Sequence, residues 1–163
     1  MTDFRVGIGC DHHCLKKSSA GEILVMGGIA LSNEYYCEAS SDGDVILHAL
    51  CNAISTALGG GSLSKITDKM CLQQGIKDSR QYLSYFLEQA KQLGYKINNV
   101  SVAVEALKPQ LEKHGEAIGE SIAQLCKVEK GQVGVAFTTG EGLTACGRGE
   151  GIYAQVLVSL GGI

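Results

Sequence analysis

The segment 152–160, Ile-Tyr-Ala-Gln-Val-Leu-Val-Ser-Leu, is almost uninterrupted apolar sequence, and no other stretch limits the fold as much. A strand of this kind reads as buried on both faces. It therefore belongs in a sheet with one layer packed above it and another below. The sequence before it alternates. Residues 100–105 and 133–137 read as strands, and between them Pro109 suits the first turn of a helix reaching about Cys126. Strand, helix and strand within about 38 residues is long enough for a crossover unit. A glycine-rich loop, 140–151, then leads into the last strand.

The first half gives shorter signals. Residues 4–8 read as a strand, and 23–30 as another with glycines inside it. Ser41-Asp-Gly-Asp44 resembles a capping-box start to a helix running to about Leu58. Its Ile46, Ala49, Leu50, Ala53, Ile54 and Ala57 recur at three and four, as one buried stripe requires, and Gly59-Gly60-Gly61 stops it. A second helix is expected from Asp78 to Gly94, with Leu83, Phe86, Leu87, Ala90 and Leu93 inward. The fold class is therefore α+β: a mixed sheet of four to five strands, covered by helices on one face as a two-layer sandwich. The uncovered face calls for a subunit partner.

At 163 residues the chain is one domain on the length prior, and 45% apolar against 19% charged residues is the balance of a folded protein. Fourteen Lys and Arg against seventeen Asp and Glu leave no basic excess to neutralise a nucleic-acid backbone. The uncharged stretch 45–64 contains His48, Asn52 and three glycines, so it does not read as a membrane span. No basic-then-apolar leader pattern opens the chain, and seven cysteines form no regular framework. A reducing cytoplasm is the expected location, or an organelle stroma or matrix in a eukaryote, with the cysteines acting mostly as small hydrophobes.

Of four histidines, three lie in two short segments. In Cys10-Asp11-His12-His13-Cys14, just after the first strand, alternation on an extended chain points Asp11 and His13 one way and His12 the other. His48 follows Asp44 by four residues, in the first turn of its helix. Asp11, His13 and His48 make a two-His, one-carboxylate set that leaves zinc an open position. The competing readings are surface histidines and a structural zinc site on Cys10 and Cys14, for which a second Cys/His pair is missing. Asp-His-His-Cys also matches a membrane palmitoyltransferase signature, but those enzymes cross the bilayer several times and this chain has no span to offer.

The second informative stretch is 137–151. Thr138 and Thr139 at a strand end offer hydroxyls and backbone N–H groups to phosphate oxygens, and Glu141 offers a hard oxygen to Mg²⁺. Alone, this is weak, because a glycine-rich loop with one Glu is usually a plain loop. It lacks the Walker lysine and the dinucleotide fingerprint.

Taken together, several blocks resemble the 2-C-methyl-D-erythritol 2,4-cyclodiphosphate synthase family. They are Gly7-Ile-Gly-Cys-Asp-His-His13, Ser41-Asp-Gly-Asp-Val-Ile-Leu-His48, Asp78-Ser-Arg80, Asn99-Val-Ser-Val102, Ala106-Leu-Lys-Pro109, Thr138-Thr-Gly-Glu141 and Gly147-Arg-Gly-Glu-Gly-Ile152. They occur in order over nearly the whole chain.

The resemblance implies a homotrimer with active sites between subunits. The substrate would be the cytidylyl diphosphate 4-diphosphocytidyl-2-C-methyl-D-erythritol 2-phosphate, cyclised with release of CMP. Asp11, His13 and His48 would hold Zn²⁺ or another divalent transition metal, and Glu141 would hold Mg²⁺ or Mn²⁺. Thr138 and Thr139 would steady the phosphates, with Thr139 and Glu141 serving catalysis. Ser41 and Asp42 would contact substrate, while Ala106, Pro109, Leu111 and Phe137 would line the cytidine pocket. Arg148 would face the trimer's central channel.

The chain also departs from the family pattern. Ser40 replaces a substrate-contacting histidine and Asn52 an aspartate. Gly60-Gly61-Ser62 stands where the family has Asp-x-Gly, and Gln110 and Gly142 replace lysines. The metal ligands are all kept while substrate contacts are thinned, so a non-catalytic trimer binding metal and isoprenoid diphosphate is the second reading.

Overall fold

The structure is a computed structural model that describes residues 3–163. Its elements in chain order are β1 (Phe4–Lys17), β2 (Leu24–Met26), β3 (Ile29–Ser32), β4 (Tyr35–Cys37), α1 (Val45–Ala57), α2 (Ser64–Asp68), α3 (Ser79–Gln92), β5 (Tyr95–Glu105), α4 (Gly115–Cys126), β6 (Val133–Thr138) and β7 (Gly151–Gly162). Five strands form one mixed sheet in the order β4-β1-β7-β5-β6, and β2 pairs with β3 separately. β5 and β6 run parallel with α4 crossing between them, which is the expected crossover unit. β1, β7 and β5 are antiparallel neighbours.

The helices cover one face. Val156, Val158 and Leu160 of β7 are sealed beneath them, as are Val100, Val102 and Val104 of β5. The opposite face is open. Phe4, Val6 and Ile8 of β1 are 68%, 52% and 53% exposed, and Leu157 of β7, directly across from Ile8, is 42% exposed. The final strand is thus buried on one face and exposed on the other within a single chain. The exposed apolar face is the one for which the sequence called for a subunit partner.

Glycines set how close the layers lie. A Cβ added to Gly7 would sit 1.9 Å from the Ala53 carbonyl oxygen, and one added to Gly9 would sit 2.1 Å from that of Ala49. The backbone of α1 therefore rests directly on β1. The helix is enclosed almost all round, with Val45, Leu47 and Cys51 buried beside the predicted stripe, as expected of a helix walled by sheet and neighbouring helix. Its N-cap is Asp44 alone, not a capping box. The fully buried carboxylate accepts Ile46 N–H at 3.1 Å and Leu47 N–H at 3.0 Å, and reaches back to Gly27 and Gly28 N–H at 2.9 and 2.6 Å. It ties the β2–β3 turn to the start of α1.

Four other boundaries differ from the sequence reading. The segment 23–30 is a hairpin, because Gly27 and Gly28 both take positive φ (62° and 84°) and reverse the chain. β1 does not stop at Ile8 but continues through the histidine segment to Lys17. β5 begins at Tyr95, directly after the helix-ending Gly94. Pro109 follows a cis peptide bond from Lys108 in the loop ahead of α4, which starts only at Gly115. Leu93, expected inward, caps α3 and is exposed. All seven cysteines are free thiols, and burial pushes those of Cys37 and Cys126 up to about 12.

Candidate metal centre and active site

Because β1 extends past the histidines, the alternation of its side chains decides where they point. Asp11 and His13 share the helix-facing side with Gly7 and Gly9, and His12 is exposed on the other. The close seat of α1 on those glycines brings His48 to the same place. His48 Nδ1 lies 3.0 Å from Asp11 Oδ2, His13 Nε2 lies 3.1 Å from that oxygen, and the two ring nitrogens are 3.3 Å apart. Among the described residues this is the one group of three His, Cys, Asp or Glu ligand atoms that converges.

A tetrahedral ion with bonds of about 2.0–2.1 Å to nitrogen and oxygen spaces its donor atoms about 3.3 Å apart. The three atoms already stand at that spacing, so the donor set fits a divalent metal. Burial resists ionisation of Asp11, but hydrogen bonds and charge from His13 and His48 outweigh it and hold the carboxyl well below the usual carboxylate range. The ligand oxygen is therefore anionic at neutral pH.

Behind His48 lies a hydrogen-bonded chain. Its Nε2 is 2.8 Å from the Ser79 hydroxyl, which donates to Asp42 Oδ1 at 2.5 Å, and Asp42 Oδ2 accepts Ser79 N–H at 2.9 Å. Ser41 Oγ stands 3.3 Å from the same Nε2. Ser41 also lines a cavity of about 370 Å³ together with His13, Ser40, His48, Asp68 and Tyr82, in front of the three ligand atoms. Asp42 is turned instead toward the start of α3. The Asp78-Ser-Arg80 block was legible, but no role for Ser79 was. Its one signal was position: a hydroxyl three residues before Tyr82 and four before Leu83, on the buried face of α3.

The residues expected at the phosphates and the nucleotide gather elsewhere. Ala106, Gln110, Leu111, Lys113, Phe137, Thr138 and Thr139 line a second cavity of about 500 Å³ at the far edge of the sheet. Pro109 lies half-buried in the loop beside it. β6 and β1 are three strand spacings apart, about 14 Å, so one chain does not unite Thr138, Thr139 and Glu141 with the metal ligands. Glu141 is exposed and left-handed (φ 48°) between Gly140 and Gly142, which are left-handed too. Arg148 is exposed in the loop before β7 and pairs with Glu150 at 2.9 Å. Asn52 binds Cys10 O at 3.2 Å and Leu63 N–H at 2.8 Å, pinning the loop after α1 to β1.

The model of the YgbB family matches residues 4–161, nearly the whole chain. The chain belongs to the YgbB family. Among its curated members, the 2-C-methyl-D-erythritol 2,4-cyclodiphosphate synthase of Chlamydia muridarum is 36% identical over 157 residues, 96% of this chain and 88% of that protein. Among solved structures, the bifunctional IspDF of Campylobacter jejuni superposes with a TM-score of 0.91 at 25% identity, covering all of this chain and 43% of that one. The Plasmodium falciparum IspF structure, a CDP complex, gives 0.85 at 25% identity over 99% of this chain and 98% of that one. This chain carries its Asp-His-His group on the first strand and the first long helix. No helix among the described residues is long and apolar enough to cross a membrane.

Proposed function

We propose that this chain is a metal-dependent cyclodiphosphate synthase, acting as one domain. It converts 4-diphosphocytidyl-2-C-methyl-D-erythritol 2-phosphate to 2-C-methyl-D-erythritol 2,4-cyclodiphosphate and CMP, a step of non-mevalonate isoprenoid synthesis. The observation that carries this reading is the convergence of Asp11 Oδ2, His13 Nε2 and His48 Nδ1 within 3.3 Å of one another in a YgbB family member.

In the reaction an oxygen of the 2-phosphate forms a bond to the β-phosphorus, and the bond from that phosphorus to the CMP oxygen breaks. The nucleophile is already ionised, so no general base is needed. The obstacle is repulsion between anions. A divalent ion such as Zn²⁺ on Asp11, His13 and His48 would supply the positive charge and polarise the β-phosphate. Glu141 has one carboxylate to offer a second ion, Mg²⁺ or Mn²⁺, which commonly takes one or two carboxylates and completes its shell with phosphates and water. Thr138 and Thr139 hold phosphate oxygens, Thr139 at the reacting group. Ala106, Pro109, Leu111 and Phe137 hold the cytidine, and Ser41 faces the substrate beside His48. Because both reacting groups belong to one molecule, the protein's task is to fold that molecule into line.

The two cavities lie apart in one chain, and the open apolar face of the sheet supports a remedy. A homotrimer packed through Phe4, Val6, Ile8 and Leu157 would set the nucleotide cavity of one subunit against the metal ligands of the next, with Arg148 toward the central channel. The test is chromatographic detection of CMP from the cytidylyl substrate. Release by the metal-loaded protein, lost in His48→Ala, is the expected result; an undiminished rate in that variant would overturn the reading.

A further inference from the structure

We infer that Ser79 and Asp42 are positioning residues that set the tautomer and ring orientation of His48 for metal binding. The inference rests on the metal reading above and follows from counting protons. The Ser79 hydroxyl has one proton, and an ionised carboxylate only accepts. At 2.5 Å from Asp42 Oδ1, the Ser79 proton goes to Asp42. The Ser79 oxygen then meets His48 Nε2, 2.8 Å away, with lone pairs alone, so Nε2 carries the ring proton. In the neutral ring that takes a metal, Nδ1, the nitrogen aimed at Asp11 and His13, then has its lone pair free for a cation.

The chain is well held. Ser79 is fully buried, and Asp42 Oδ2 is fixed by Ser79 N–H at 2.9 Å. Ser41 Oγ, at 3.3 Å from Nε2, is a longer second acceptor that also takes Gly43 N–H at 3.3 Å. The arrangement is a carboxylate–histidine pair with a serine hydroxyl inserted, and partners of this kind raise ligand basicity and metal affinity. It also couples the first turn of α3 to a ligand carried on α1.

The test is a Zn²⁺ competition titration against a chromophoric chelator, run on wild type, Ser79→Ala, Asp42→Asn and the double variant. Thermal unfolding of each metal-free protein is recorded alongside. The expected losses of Zn²⁺ affinity are about 10- to 100-fold for each single variant. The double variant should lose little more than either single one, because both act through one chain. In the zinc-loaded wild type, the His48 Nε2–H resonance should be visible by ¹H–¹⁵N NMR, sheltered by its bond to Ser79. It should vanish by solvent exchange in Ser79→Ala.

Affinity within twofold of wild type in a folded Ser79→Ala or Asp42→Asn protein would overturn the inference, as would fully additive losses. If Ser79→Ala does not fold, Asp42→Asn decides alone. Failure of the wild type itself to bind Zn²⁺ would instead defeat the metal reading.

Discussion

Gly9 of β1 lies against the carbonyl oxygen of Ala49 in α1 so closely that an added Cβ would be 2.1 Å from it. Two residues beyond Gly9 is Asp11, and one residue before Ala49 is His48, so this approach places strand and helix ligands around one point. Gly9→Ala should push α1 away from β1, destabilising the fold by about 1–3 kcal/mol or more. Metal affinity should fall with it. Urea unfolding and metal titration of the same preparation check both effects.

The proposed role of Glu141 sets function against local stability. A non-glycine residue in the left-handed region carries a penalty of roughly 1–2 kcal/mol, which glycine avoids while gaining entropy in the unfolded chain. Glu141→Gly should therefore leave stability unchanged or raise it by up to about 1 kcal/mol, while CMP release falls and needs more Mg²⁺. Denaturation midpoints and Mg²⁺ titrations of the rate give the comparison.

The open sheet face makes a separate prediction. Ile8 and Leu157 oppose each other across β1 and β7 and are 53% and 42% exposed. Charges there cannot be desolvated without loss. Ile8→Glu or Leu157→Lys should dissociate the proposed trimer to monomers by analytical ultracentrifugation. The monomer should keep its helical circular dichroism and lose turnover.

Asp11 gives the metal-free protein a pH signature. Its carboxyl is held below the ordinary value of about 3.9 in the folded state. Its contribution to stability is thus complete above about pH 4 and is lost as the pH falls further. The stability difference between wild type and Asp11→Asn, measured by urea unfolding in chelator, should shrink as the pH falls below that value.

Much of the site was legible because its signals are local. Alternation along an extended chain separates His12 from Asp11 and His13, and a capped apolar stripe defines α1 and with it His48. What failed depended on distant neighbours. The apolar run of β7 signals burial on both faces, yet a single chain covers only one of them. Gly27-Gly28 read as strand glycines because β2 and β3 are too short for alternation to show. The polar segment 10–17 carries no strand pattern and is held in the sheet by β7 and β4. Ser79 showed no role in the sequence, since its partners Asp42 and His48 stand 37 and 31 residues away. Gly7 and Gly9 gave no sign of their role either, because a close approach is visible only once the helix is in place.

The most direct test of the account is phosphorus NMR of the purified protein with 4-diphosphocytidyl-2-C-methyl-D-erythritol 2-phosphate, Zn²⁺ and Mg²⁺. The account predicts that resonances of a cyclic diphosphate and of CMP grow together, cease when the metals are chelated, and are absent with His48→Ala. Cyclic product formed at the full rate without metal, or none formed by the metal-loaded wild type, would contradict it.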